Sequence, residues 1–533
     1  MKRILSVLLA TIMVLSLVAC GGGTKEEPKA EEPKTEQPTD TKIEEPVGSE
    51  YAEWVYIGME KDLDTADPYG GTTAMTEWFT TMTFDTVIYN NPETGEIDPE
   101  LAYKWEPNAD NTEWTFYLEE DVYFHNGDHM TAEDVKFTYL YAANLNGETN
   151  VVKTFSAGTY AKEVEVVDDY TIKFILNSPM PDFAAYMEMK VYSKNAIETL
   201  GHADGSVIGT GAYYYDKDES VSGQMFVATR NEDYWQGTDA YKTKHIATKV
   251  YGDTNSTAAA LQAGEIDMTF TLPPTDYPIL STDPNLQTEV KTGCQSYYLG
   301  FNYKSTNVDM NDVEIRRAIV QCIDKDAMLE IAWEGFAEKS MNFCAPSGLG
   351  YSADTKGIEY NPEAGAATLK EKGVKDLIIM VPAHVPNTTA AEVVQSCLTP
   401  IGINVTVKPV DPTNFTQFKA AMEGYDMFID YCSYRGALLY NFNRFMYRGG
   451  SSNMFGYESP EYEKMQDNVT AQTSWDDMLK EFAVLQQWVA DNVPLFPLAY
   501  GNTWRALGKG VGGGYLGGSE NAVDWSTLYK VVG

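Results

Sequence analysis

Histidine and carboxylate spacing is the first place to look for chemistry. The chain carries five histidines, His125, His129, His202, His245 and His384. His125 and His129 stand four apart, an interval that on a helix sets two imidazoles on one face as metal ligands. A nickel or haem site would have to rest on them. Asn126-Gly127-Asp128 between them is turn chemistry, however, so both histidines are expected to be structural. With 78 acidic residues, paired carboxylates occur throughout and single out no glycosidase pair. No GxSxG elbow, HExxH, GxxxxGK[ST] or glycine-rich dinucleotide fingerprint is present. The glycine runs at 21–23 and 512–514 read as a tether start and a loop. A surface hydrolase has no nucleophile–base signature here, so the expectation is a protein that is not an enzyme and uses no cofactor or metal.

Six cysteines divide into Cys20 and a later set of Cys294, Cys322, Cys344, Cys397 and Cys432. The later set is odd in number and lacks CxxC or zinc-ribbon spacing, which predicts free, mostly buried thiols, with one disulfide left open. Cys20 differs. Lys2 and Arg3 precede an apolar run from Ile4 to Ala19, slightly short for a membrane span, and the run ends in Leu17-Val18-Ala19-Cys20. This resembles the bacterial lipoprotein signal, in which the cysteine is diacylated and becomes the first mature residue. The resemblance implies export and a lipid anchor at Cys20. Residues 1–19 are then a signal peptide. Residues 20–50 are the lipidated cysteine and a tether with no core-forming capacity, since 21–50 hold four prolines, four lysines, nine acids and no aromatic residue. The formal net charge of −39 repels phosphate backbones and anionic headgroups, which argues against nucleic acid and against electrostatic membrane binding.

The elements that would position any site alternate along the rest of the chain. A hydrophobic content of 43% and 533 residues allow several cores. Aromatic density rises at Tyr51 to Tyr56, a first strand. Period-two alternation predicts strands over 114–118, 170–176 and 404–410. Helices are predicted from Thr131, with Asp134 completing a capping box, from Asp312, over 460–468 and over 474–491. No repeat of solenoid length appears. The fold class is α/β with several lobes.

An ordered series of segments then carries a resemblance. Thr65-Ala66-Asp67-Pro68-Tyr69 is followed by Phe84-Asp85-Thr86-Val87, by NPETGEIDPELAYKWEPNADNTEWTFYL at 91–118, and by DVYFHNGDHMTAEDVKF at 121–137. VDDYTIKFIL (167–176), Gly209-Thr210-Gly211-Ala212-Tyr213, Asn231 to Trp235 and Leu261 to Asp267 come next. The second half has Tyr298 to Asn302, Arg316-Arg317-Ala318, Ile323-Asp324-Lys325 and Val493 to Pro497. In this order they resemble the family-5 extracellular solute-binding proteins, which include the oligopeptide- and dipeptide-binding components of ABC importers.

The resemblance implies a two-lobed periplasmic-binding-protein fold of class II, with a hinge and an extra subdomain in the first lobe. Mapped on this chain, the first lobe is 51–84, 187–293 and 495–533, the inserted subdomain 85–186, and the second lobe 294–494. It also implies a monomer that takes a small peptide from solution, closes on it, and docks on the membrane subunits of an ABC permease. Ligand-lining positions carried over are Thr72, Thr73 and Ala74 from the first lobe. The second lobe adds the segment Tyr425 to Asp430, continued as Tyr431, Cys432, Ser433, Tyr434 and Arg435; Tyr500 is a further candidate. Peptide binders place an acid for the ligand's α-amine shortly after the Trp-Cys-like pair; here Arg435 stands in that region, which favours a carboxylate or neutral group unless Arg435 pairs with Asp430. An oligosaccharide is the alternative ligand, stacked on Tyr431, Tyr434, Trp504, Tyr500 and Tyr69.

Overall fold

The computed structural model describes residues 50–71, 74–91, 96–142, 160–270, 272–346, 348–433, 438–516 and 523–532. The leader, Cys20, the tether, Thr72, Thr73, Tyr434 and Arg435 lie outside the described residues.

After a short strand at Glu50–Tyr51, β1 (Trp54–Met59) buries Val55 and Ile57 completely. Helix α1 (Ala74–Thr83) follows. The chain then builds a separate antiparallel sheet from β2 (Ala102–Pro107), β3 (Glu113–Leu118), and, after helix α2 (Ala132–Ala142), β4 (Ala161–Asp168) and β5 (Thr171–Leu176), in the order β2-β3-β5-β4. Strict alternation in β3 and β5 sends Trp114, Phe116, Leu118, Ile172, Phe174 and Leu176 to one face, where they pack with Val135 and Tyr139 of α2. The start of α2 differs in detail from a full capping box. Asp134 Oδ2 accepts from the Thr131 backbone N–H at 2.9 Å, but the Thr131 hydroxyl donates to the same carboxylate at 3.1 Å.

Back in the main body, β6 (Met225–Arg230) and β7 (His245–Val250) join β1, β7 pairing with it in parallel. The 16-residue β8 (Leu286–Phe301) crosses to the other side. There α3 (Val313–Gln321) and α4 (Lys325–Ala332) start on Asp312 and Asp324, whose side chains accept from backbone N–H groups of the first turn. A parallel pair, β9 (Asp376–Pro382) and β10 (Asn404–Val410), is joined by α5 (Asn387–Leu398). Strand β11 (Met427–Ser433), helices α6 (Tyr440–Met446), α7 (Pro460–Thr470) and α8 (Trp475–Asn492), and the return strand β12 (Leu495–Gly508) complete it. The strand expected over 425–430 begins two residues later, because Tyr425 and Asp426 are spent locally: the Tyr425 hydroxyl donates to Lys419 O at 2.7 Å and Asp426 Oδ2 accepts from Ile378 N at 2.8 Å.

Among the described residues one eleven-stranded sheet runs β10-β9-β11-β8-β12, then Met268–Thr269, β1, β7, β6 and Tyr213–Tyr215, with Ala337–Lys339 pairing β12 off this path. Two cores lie along it. Val55, Ile57, Phe79, Phe226 and Ile246 belong to one; Leu299, Phe301, Ile379, Phe428 and Phe482 belong to the other. β12 serves both, and β8 runs beside it, giving Leu299 and Phe301 to the second and Val290 to a smaller cluster with Trp504 and Ala506. Leu286 to Lys291 pair with Gly508 to Thr503, and Gln295 to Gly300 pair with Gly501 to Leu495.

Candidate functional site

β8 and β12 pass through both halves, and their pairing carries a register shift between Lys291 and Gln295. Gly501 stands opposite Gln295. A Cβ there would come within 2.7 Å of the Tyr297 ring, so glycine makes room for an aromatic at the crossing. Tyr297 meets Trp333 edge-on at 5.0 Å between centroids and Tyr431 at 5.4 Å. Trp333 is buried with its indole N–H unpartnered among the described residues.

Tyr431 lies on β11, which runs up to this crossing. Ser433 sits opposite Gln295 and Tyr431 opposite Tyr297. On its other side β11 pairs with β9 only at Met427 and Phe428. From Ile429 to Ser433 no strand neighbours that edge among the described residues. Asn387 Nδ2 reaches Ile429 O at 3.3 Å, and the Tyr431 N–H is taken by Asp430 Oδ1 at 2.9 Å. Asp430 Oδ2 accepts from Lys419 Nζ at 2.6 Å and from the Tyr298 hydroxyl at 3.4 Å. Asp430 is thus committed to Lys419 of its own lobe.

Several expected site residues are placed elsewhere by packing. Cys432 is 5% exposed, and burial pushes its thiol up to about 12, so it offers a ligand main-chain atoms and no side chain. Tyr500 is 2% exposed; its hydroxyl lies 2.8 Å from Asn342 O and 2.9 Å from Cys344 O and takes the Asn342 N–H at 3.2 Å. It braces the second lobe and has no face for a ligand. Trp504 is equally buried, set edge-on to Tyr277 at 5.3 Å. Tyr69 is half-buried; its hydroxyl donates to Lys190 O at 2.7 Å and its ring meets Tyr192 edge-on. These positions take Tyr500 and Trp504 away from any sugar platform and engage the Tyr69 hydroxyl within the first half. Ala74 is the first residue of α1, and Ser433 ends β11.

His125 is held by two backbone groups of the Gly209–Gly211 turn: its Nε2 lies 2.9 Å from Gly211 O and its Nδ1 accepts from Gly209 N at 3.3 Å. Burial pushes it down to about 4, so it is neutral near pH 7. His129 Nε2 faces Glu120 O. Among the described residues no group of three His, Cys, Asp or Glu side chains is arranged to hold a metal.

Known proteins share this architecture. Heme-binding protein A of Haemophilus influenzae is 25% identical over 462 residues, 78% of this chain and 81% of its own. The dipeptide-binding protein of Pseudomonas aeruginosa is 23% identical over 455 residues, 78% of this chain and 83% of its own. The solved structure of a dipeptide-binding protein from Pseudoalteromonas sp. SM9913 in complex with Met-Leu superposes with a TM-score of 0.74 at 21% identity, covering 90% of this chain and 100% of that one. The fold is the two-lobed α/β fold of periplasmic binding proteins. The model of bacterial extracellular solute-binding proteins, family 5 (middle), matches residues 96–453. That match begins in the antiparallel subdomain and continues past β11 to the far side of the crossing, and on it the chain belongs to the family-5 extracellular solute-binding proteins.

Proposed function

We propose that this chain takes up peptides, held extended between its lobes, and hands them to the membrane subunits of an ABC importer. The observation that carries the reading is the edge of β11. Past Phe428 the strand outruns β9, leaving a stretch toward Ser433 on which a peptide backbone can add as a further strand. Such pairing supplies affinity without reading side chains. The names of the dipeptide-binding relatives support peptides as the solute. Thr72, Thr73 and Ala74 from the first lobe and Tyr431, Ser433, Tyr434 and Arg435 from the second line the cleft, with Cys432 adding main chain alone. Arg435 receives the peptide's carboxylate, for which a planar, permanently charged fork is suited.

The lobes divide at 84/85, 186/187 and 293/294, and the division expected at 494/495 is moved to near Asn502, since Leu495, Phe496, Leu498, Ala499 and Tyr500 belong to the second core and the pairing partner passes from Gln295 to Lys291 there. The protein works as a monomer, performs no turnover, and is tethered to the extracytoplasmic face of the membrane by acylated Cys20. Replacing Cys20 with Ala is expected to leave a folded, ligand-competent protein that washes off membranes; a variant that stays bound after a salt wash overturns the anchor. For the solute, a thermal-shift screen is set with pools of di- to pentapeptides against cello- and xylo-oligosaccharides, since a ligand of the native state raises its melting point. Peptide pools are expected to raise it. A response to sugars alone overturns the reading.

A further inference from the structure

Asp182 stands where the antiparallel subdomain meets the second lobe. It opens the short helical turn Phe183–Met187, which faces two ways. Phe183, Ala184 and Met187 enter the core of the subdomain, while Ala185 and Tyr186 enter the core of the second lobe. Tyr160 and Met180 of the subdomain pack against that second core, and so does Tyr440 at the start of α6. The rings of Tyr160 and Tyr186 lie 4.9 Å apart. The Asp182 charge bears on both phenols, raising them further after burial has done so, and Tyr440 acts on the same two groups. Tyr160 and Tyr186 therefore stand near one carboxylate, with Tyr440 of the second lobe near both phenols.

That carboxylate is 4% exposed, and its Oδ2 is buried without a hydrogen-bond partner. Among the described residues no lysine, arginine or histidine pairs with it. A buried, unpaired anion is costly, and the group responds by holding its proton, with burial pushing it up to about 7. An electron-rich aromatic wall with a central carboxylate is the surround that attracts an ammonium ion.

We propose that Asp182, with the rings of Tyr160, Tyr186 and Tyr440, is a cation subsite completed when the lobes close, taking a protonated amine of the solute. The proposal rests on the peptide reading for the identity of that amine: the terminal ammonium or a lysine side chain. It supplies, from the inserted subdomain, the carboxylate that the second-lobe stretch Ser433-Tyr434-Arg435 lacks. It also ties closure to cargo. Tyr440 joins the two rings from the second lobe, so closing without a cation keeps the acid protonated, and closing on an amine pairs its charge.

The test uses the full chain and its Asp182→Asn variant, with trialanine, N-acetyl-trialanine and N-acetyl-Ala-Lys-Ala as probes. At least one of the two amine-bearing probes is expected to bind the wild type about thirtyfold or more tightly than the variant, as for removal of one partner of a buried charge pair. N-acetyl-trialanine is expected to bind both proteins alike. Which amine-bearing probe responds separates the terminal from the side-chain source. Without ligand, the neutral variant is expected to melt no lower than the wild type. The proposal is overturned if the variant leaves both amine-bearing probes unchanged, loses the acetylated probe equally, or melts lower without ligand, as it would if Asp182 paired with a cation of the chain such as Arg435. If none of the three peptides shifts the wild type, the peptide reading falls, and 1,5-diaminopentane decides the subsite. A shift in the wild type absent from the variant sustains it, and no shift overturns it.

Discussion

Asp430 and Asp182 are both acids sunk at the margin of the second-lobe core, and they are treated in opposite ways. Asp430 has Lys419 at 2.6 Å, the Tyr298 hydroxyl at 3.4 Å and the N–H of Tyr431 at 2.9 Å, all from the lobe that carries it. Asp182 has Tyr160 and Tyr186 near it, Tyr440 of the other lobe near those two, and no cation among the described residues. A carboxylate whose partners share its lobe stays satisfied whether the cleft is open or shut. One whose surroundings straddle the cleft is stable only in the state that brings it a counter-charge.

The largest effect is expected from Arg435→Ala. If Arg435 meets the solute's carboxylate away from water, truncation weakens peptide binding by roughly 2 to 5 kcal/mol, read by calorimetric titration. An unchanged affinity with a lowered melting point would assign Arg435 to an internal ion pair instead. Lys419→Met tests the other side of the comparison. Lys419 and Asp430 have side chains 7% and 18% exposed, so stranding the acid should cost the fold about 3 kcal/mol in denaturant unfolding. Adding Asp430→Asn to that variant should return part of the loss, whereas Asp182→Asn alone should cause none. Gly501→Val comes next. Its side chain meets Tyr297 at the crossing, and an overpacked site of this kind costs about 1–3 kcal/mol. Peptide affinity should fall with it, since Tyr297 backs Tyr431; intact binding would detach the crossing from the site.

Acidity gives the smallest and broadest test. Burial, then the charge of Asp85, raises Glu100 to about 8, and burial raises Asp182 to about 7. Groups raised in the folded state contribute stability that is full below their unfolded values of 4.5 and 3.8 and is lost as pH climbs through 7 to 8. His125, lowered to about 4, works in the opposite sense, contributing above 6.5 and losing that contribution as pH drops through 4. Scanning calorimetry of the ligand-free chain should therefore find the highest melting point at about pH 4 to 5, declining until about pH 8. Asp182→Asn should flatten the decline near neutrality, and Glu100→Gln the part beyond it. A flat alkaline limb in the wild type would mean that both acids are paired.

Much of the scaffold could be read along the chain. Strands 114–118 and 404–410 and the helices after Asp312 and Ser474 formed where alternation and capping put them, because side-chain period and the first-turn N–H groups are local properties. The landmark Gly209 was legible as a turn, yet its reason is tertiary: a Cβ there would strike Thr83 O at 2.0 Å at the end of α1. Tyr500 and Trp504 read as surface platforms because a tyrosine or tryptophan carries no mark of which face it will present. β12 turned them into the interior, where the Tyr500 hydroxyl found two carbonyls.

What the sequence determined by itself was the family, the order of strands and helices, and a chain bound to be acidic and free of hydrolytic signatures. These rest on local spacing, composition and the colinear landmarks. The tertiary structure alone decided where the lobes cross, which edge of β11 stays open, and which acids are satisfied. Each of those depends on residues far apart in sequence: Lys291 with Thr503, Met427 with Ile379, Tyr186 with Tyr440. Burial and pairing are set by neighbours in space, and no pattern along the chain near Pro181-Asp182-Phe183 announces that Asp182 will be buried or that a tyrosine more than two hundred residues later will share a core with Tyr186.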